Sequence, residues 1–338
     1  MQQVNFKLFL FSISMVCVGF FSVATAQTIT SVDRKKLQVK EDSLAEYAKY
    51  LITDTLTEDR MVSDSIFVKT LIRSLQIKNS FYYPFDSVIG VSKLYAPDST
   101  FRIFTWNLQY DNYYGRQRGA IQMRTRDGSL KLFPLRDVSE FTDDAMDSAR
   151  NRNNWIGAVY YNIIKTEHKG KSYYTLFGFD GHGVRSSKKW IEVLHFNPNG
   201  EPIFGGEFFS FSTEARKRNK PYRFSLEYKK DARVLANFLK DENVILIDHL
   251  ISESDEPDNP WTLIPDGDNE GFKWENGKWV HVEKVFDYKV DMTGADPYLG
   301  RPPLEAPILD KNGKRDEKKL MEQSIKNKAK EKPPVKKD

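Results

Sequence analysis

The chain has 338 residues and a single cysteine, Cys17, which lies inside an N-terminal apolar run. Past that run there is no thiol to serve as nucleophile or metal ligand, and no disulfide to replace a packed core. No Gly-x-Ser-x-Gly elbow, phosphate-cradling glycine loop, dinucleotide fingerprint or zinc-protease helix occurs, which lowers an enzyme reading without closing it. Paired carboxylates for glycoside chemistry stay open, because their spacing of roughly 5 to 9 Å is set by the fold. No repeat of fixed length recurs, which counts against regular propeller blades. After the N-terminal run, no stretch is apolar enough to span a membrane.

What the first 26 residues do contain is one basic group, Lys7, the apolar run 8–23 and then Ala24-Thr25-Ala26. Small residues there match what a signal peptidase reads, so this segment is expected to be a signal peptide cut between Ala26 and Gln27. The alternative is an uncleaved anchor, since the run approaches the roughly 18 residues a span needs. A lipoprotein reading of Cys17 is disfavoured because a lipidated cysteine closes such a run, and here the run continues.

Charge is unevenly distributed. Residues 311–338 hold 11 basic and 5 acidic groups, while residues 27–310 hold 39 basic against 42 acidic. The basic excess therefore belongs to a tail that ends Lys332-Pro333-Pro334-Val335-Lys336-Lys337-Asp338, expected to be disordered and able to contact an anionic surface. That tail has no interleaved aromatics, so nucleic acid is not an expected partner.

Residues 32–77 read as two helices. Leu37, Leu44, Ala48 and Leu51 share one face; in the second, Thr57 is placed to cap a run whose Met61, Phe67, Leu71, Ile72 and Leu75 share another. Both should lie on the sheet that follows. From Phe81 the period changes to two. Phe104, Trp106, Leu108 and Tyr110 alternate with polar residues, as do Tyr222, Phe224, Leu226 and Tyr228. Turns at Asp127-Gly128, Lys169-Gly170, Asn197-Pro198-Asn199-Gly200 and Asn276-Gly277 link neighbouring runs as antiparallel hairpins.

The expected fold is mainly β: an antiparallel meander of about ten to twelve strands with an N-terminal helical pair and a short helix at 141–150. A sandwich, a partly closed barrel and an irregular propeller are all admissible. The expected divisions are signal peptide 1–26, helical segment 27–80, β domain 81–286, extended Pro-containing segment 287–310 and basic tail 311–338. At Tyr173-Tyr174-Thr175-Leu176-Phe177-Gly178-Phe179-Asp180-Gly181-His182, Lys189-Trp190-Ile191-Glu192-Val193-Leu194 and residues 271–279, the chain resembles uncharacterised exported proteins of the Bacteroidota. The resemblance spans roughly residues 60–285, implies an envelope location and carries no catalytic residues with it.

Three groups of residues are candidates for function. Asp266-Gly267-Asp268-Asn269-Glu270-Gly271 sets Asp266, Asp268 and Glu270 at the first, third and fifth positions of a calcium-type loop with glycine sixth, but Gly277 stands where the bidentate glutamate belongs. A distant carboxylate such as Asp258 or Glu275 would have to close the shell; otherwise this is turn chemistry, and no other cofactor is expected. Among His168, His182, His195, His249 and His281, the pairs Asp180/His182 and Asp248/His249 are the acid–base candidates. Asp248 and His249 are adjacent on a strand, so they share a pocket only across a bulge. Finally, the Asn276-Gly277 turn places Trp274 beside Trp279, either as a stacking platform for a sugar or peptide or as a hairpin staple; the aromatic stretch 110–114 invites the same two readings.

Together these features point to an exported, periplasmic, outer-membrane-associated or extracellular protein that binds an envelope protein or glycan without catalysis. The alternative is a hydrolase of envelope glycan or peptide whose carboxylate or histidine site forms only in the fold. One pocket with converging Asp, Glu or His would favour the enzyme, and a shallow aromatic groove would favour binding.

Overall fold

A computed structural model describes residues 28–111, 114–181, 183–211 and 221–286, together with Lys318, Met321 and Glu322. The signal-peptide junction at Ala26 and Gln27, His182 and nearly all of the tail lie outside the described residues. The chain divides into two compact units, Met1–Phe286 and Asp287–Asp338. All named helices and strands belong to the first.

Two helices open the unit, α1 (Ser31–Thr53) and α2 (Thr57–Leu75). Thr30 caps α1, its hydroxyl accepting the Asp33 N–H at 3.0 Å. Leu37, Leu44, Ala48 and Leu51 are buried as their spacing predicts. In α2 the expected cap is not made: Leu56 occupies the cap position, and Thr57 donates its hydroxyl to the Tyr110 carbonyl. The buried face of α2 also differs. Phe67, Leu71 and Leu75 are inside, Met61 and Ile72 face out, and Asp64 is buried, accepting the Trp106 indole N–H at 3.0 Å and pairing with Arg118 at 3.0 Å.

Fifteen strands follow among the described residues, mostly antiparallel as expected and divided among three sheets. The first sheet runs β1 (Ser92–Tyr95), β2 (Phe101–Gln109), β3 (Gly115–Met123), β4 (Lys131–Arg136) in antiparallel order. The second is ordered β5 (Arg150–Asn151), β9 (Pro202–Phe204), β8 (Ser186–Phe196), β7 (Lys171–Asp180), β6 (Val159–His168), with β11 (Phe224–Lys229) also on β8. The third is ordered β10 (Phe209–Ser210), β15 (Lys278–Val282), β14 (Leu263–Glu275), β13 (Val244–Ser252), β12 (Ala236–Leu239). Its β10–β15 contact is parallel, an exception to the antiparallel expectation that arises because the partners are not joined by a hairpin.

The sheets are open and stacked, which selects the sandwich-like reading over a barrel. Apolar residues fill the three gaps between four layers. The helices meet Phe104, Trp106 and Leu108 of β2. The opposite side of the first sheet, with Phe101, Ile103 and Ile121, meets Tyr174, Leu176, Trp190 and Leu194 of the second. The second sheet's other face, Phe177, Ile191 and Val193, meets Ile245, Ile247, Phe272 and Trp279 of the third. Strands β2, β7 and β8 are thus buried on both faces, as period-two side-chain alternation permits only when both surfaces are covered.

Residues 141–150 do not form the expected helix. A 3-10 turn covers Ser139–Phe141 and the remainder is turns leading into β5. Aspartate side chains take the local amides: Asp137 accepts from Ser139 N–H at 2.9 Å and Asp144 from Met146 N–H at 2.8 Å. Such bonds compete with helix formation. The carbonyls of Ala145 and Ser148 instead receive the Arg223 guanidinium.

Candidate functional site

The third sheet carries an irregularity where sequence reasoning required one. Asp248 pairs with Asn269, and the next paired positions are Leu250 and Pro265. His249 alone therefore faces three residues of β14, Asp266, Gly267 and Asp268, which bulge out. Gly267 has φ +97°, a conformation that favours glycine, and the Asp268 N–H returns to Asp266 Oδ1 at 3.0 Å. The expected calcium loop is thus a bulged strand in which Asp266 is bound to His249 and Glu270 to His281. Among the described residues no three His, Cys, Asp or Glu side chains converge as metal ligands.

The bulge lets Asp248 and His249 line the same cavity, an open space of about 420 Å³ between β11 of the second sheet and β13 and β14 of the third. Phe211, Phe224, Leu226 and Leu250 give it apolar walls; Glu227, Asp248, His249 and Glu270 supply the polar groups. Asp248 is a structural member, accepting the Leu235 N–H at 2.7 Å and the Asn269 amide at 3.0 Å. His249 belongs to a row of polar groups in which two hydrogen-bonded pairs are joined by a longer ionic contact. Its Nδ1 lies 2.8 Å from Asp266 Oδ2 and its Nε2 3.7 Å from Glu270 Oε1, while Glu270 Oε2 lies 2.6 Å from His281 Nε2. Exposure falls along that row, from 40% for the His249 side chain to 2% for His281, which packs against Phe211 and Phe272. Burial alone would raise the Asp266 carboxyl; the Asp268 amide and His249 outweigh it and hold the group below the ordinary carboxylate value.

The chain matches no family model, no curated protein and no solved structure.

Other expected site residues are placed elsewhere or differently. Asp180 ends β7 and accepts the Gln117 side-chain amide of β3 at 3.2 Å, so its bond runs to the first sheet and it does not line the cavity. Its proposed companion His182 lies outside the described residues. Trp274 and Trp279 do face each other across the hairpin, ring centroids 5.1 Å apart. They form no open platform, however: Trp279 is wholly buried and donates its indole N–H to Thr175 at 2.9 Å, while Trp274 packs on Tyr173 and donates to the Glu167 carbonyl at 3.3 Å. The pair staples the third sheet to the second. His168 covers the Asn276-Gly277 turn, and His195 sits between Tyr173 and Phe208, where burial and nearby Lys171 lower its pKa.

Sequence reasoning left His281 and the paired role of Glu270 unassigned. The signal was present in the two-residue turn: Glu275 opposite Lys278 fixes Phe272 opposite His281, one pleat repeat from Glu270. The contact between Asp266 and His249 depends on the bulge, which the sequence marks only by Gly267.

Proposed function

We propose that the chain is an exported, non-catalytic cell-envelope protein that binds a partner or glycan in the cavity between its second and third sheets. The observation that carries this is the cavity itself, where apolar walls adjoin a short polar arc as small-ligand sites do. The apolar run and small-residue exit at residues 8–26, and the resemblance to exported proteins, support the address. Among the described residues no helix is long and apolar enough to cross a membrane. The basic tail would add an electrostatic contact with an anionic surface.

One observation favours a second reading, a hydrolase of envelope glycan or peptide. Asp266 holds His249 through Nδ1, which orients the ring as a carboxylate orients a general-base histidine. Thermal-shift titration of the purified chain against oligosaccharide and oligopeptide panels separates the two. Binding predicts stabilisation by members of a panel, abolished when Leu250→Trp fills the cavity. Turnover of a panel member, lost in His249→Ala and without an accumulated complex, would reject the binding reading in favour of the hydrolase.

A further inference from the structure

The helix layer leaves a gap above the outer strand of the first sheet. Val68 and Ile72 of α2 stand over Trp106 of β2, Ala120 of β3 and Leu132 and Pro134 of β4, and enclose a slot of about 140 Å³. No residue of this slot lines the cavity between the second and third sheets. Met61, Val68 and Ile72 recur at helical spacing on one side of α2, and Met61 and Ile72 are exposed, so an apolar stripe carries the slot out to the surface.

One end of the slot is basic. Arg118 lines it and stands directly opposite Arg136 in the β3–β4 register. Arg136 follows Pro134 by two residues, so both leave the strand on the slot's side. Like charges set opposite one another in a ladder repel, and only one of these two is offset. Asp64 Oδ2 pairs with a terminal nitrogen of Arg118 at 3.0 Å, while its Oδ1 accepts the Trp106 indole N–H at 3.0 Å, which commits both oxygens. The Arg136 guanidinium has no hydrogen bond or ion pair among the described residues, and both arginines are exposed. A further anion seated between them would relieve the repulsion and accept from two planar donor groups.

We propose that this slot is a second binding site, for a single-chain acyl carboxylate whose hydrocarbon lies between α2 and β4 and whose head bridges Arg118 and Arg136. The apolar walls select for the chain and the paired arginines for the charge. An alcohol of the same length would fill the walls but leave the arginines opposed, and an alkylammonium would add a third positive charge beside them. The slot is smaller than the roughly 300–1,000 Å³ of pockets that take drug-sized ligands, which suits one chain rather than a ring system. A chain too long for it can continue along the exposed Met61–Ile72 stripe.

The test is calorimetric titration of the full chain with hexanoate and octanoate below their micelle concentrations, beside octylammonium and octanol. Affinity is expected to rise about fourfold for each methylene added between the two carboxylates. Octylammonium and octanol should bind about tenfold more weakly than octanoate, or worse, because they lack the charge-assisted bonds. Arg136→Gln should weaken octanoate about tenfold and leave octanol unchanged, and Ile72→Glu, which sets a repelling carboxylate at the mouth from the helix side, should also weaken octanoate. Leu250→Trp, which fills the other cavity, should leave octanoate binding as it is. Far-ultraviolet circular dichroism checks that each variant is folded. Four results would each overturn the proposal: no octanoate binding, octylammonium or octanol binding as tightly as octanoate, undiminished octanoate affinity in a folded Arg136→Gln or Ile72→Glu chain, or its loss in Leu250→Trp.

Discussion

Glu192 and Arg223 form an ion pair sealed inside the second gap, at 1% and 0% side-chain exposure, with Nε 3.1 Å from Oε2. The other carboxylate oxygen accepts the Tyr160 hydroxyl, which in turn accepts the Trp155 indole N–H at 2.7 Å. Arg223 further donates to the carbonyls of Ala145, Ser148 and Phe204. Glu192→Gln keeps the size and leaves the guanidinium buried without its counter-charge. Breaking one side of a buried pair costs about 3–5 kcal/mol, because the remaining charge keeps its desolvation penalty. With a urea slope of about 3 kcal/mol/M for a unit of this size, the unfolding midpoint should fall by about 1–1.7 M. Tryptophan fluorescence is a suitable readout, since Trp155 belongs to the network. Removing both charges, Glu192→Leu with Arg223→Met, should destabilise by less than the two single changes added together, giving a coupling of about 2 kcal/mol. A midpoint shift for Glu192→Gln below about 0.5 M, or strict additivity in the cycle, would refute this account of the core.

Alkali should destabilise the fold. Burial raises Tyr160 and Tyr161, and burial with Glu41 raises Tyr83, so these phenols stay protonated where those of the unfolded chain ionise; stability present below about pH 10 is lost as pH rises beyond it, checked by ultraviolet titration alongside melting curves. Two glycines offer a controlled comparison. Gly277 (φ +81°) would bring an added Cβ to 2.6 Å from His168, whereas Gly267 (φ +97°) has nothing within 4 Å, so both alanine variants pay a backbone cost of about 1 kcal/mol and Gly277→Ala loses more in denaturant melts. Trp279→Phe should cost about 1–3 kcal/mol in the same assay, because Thr175 loses its indole donor in a buried site.

The helical pair and most hairpins were legible because each depends on local periodicity or on a turn dipeptide. Leu37, Leu44, Ala48 and Leu51 are buried as their spacing requires. In α2 the apolar periodicity takes in Met61 and Ile72, which are exposed, because the place beside Phe67 on the buried face is held by the carboxylate Asp64, which carries no apolar signal. In β2 the alternation was visible, but Ile103 and Thr105 on the expected wet side are buried too, since a second sheet covers them, and Arg102 is buried among the aromatics of the opposite, apolar side. Arg102 is ringed by Phe81, Phe85, Tyr95 and Phe104, and burial pulls its pKa down to about 10. Division into three sheets was not legible, because the β5–β9, β8–β11 and β10–β15 pairings join segments with no shared turn. At the candidate site, the need for a bulge at Asp248/His249 was apparent, but the residues that create it, Asp266 to Asp268, looked like an ion-binding loop.

The parallel contact between Phe209 and Trp279 has a consequence for how the molecule is made. Trp279 is among the last residues of the first unit to emerge during synthesis, and its sheet is the cover for Phe177, Ile191 and Val193. Until that final hairpin arrives, an almost complete nascent chain lacks Phe272 and Trp279, and the part of the greasy β surface they cover stays open. Any cell producing this protein must either delay folding until the chain is finished or shelter the surface in the meantime, and a version shortened before residue 279 should accumulate as aggregate rather than as a working fragment.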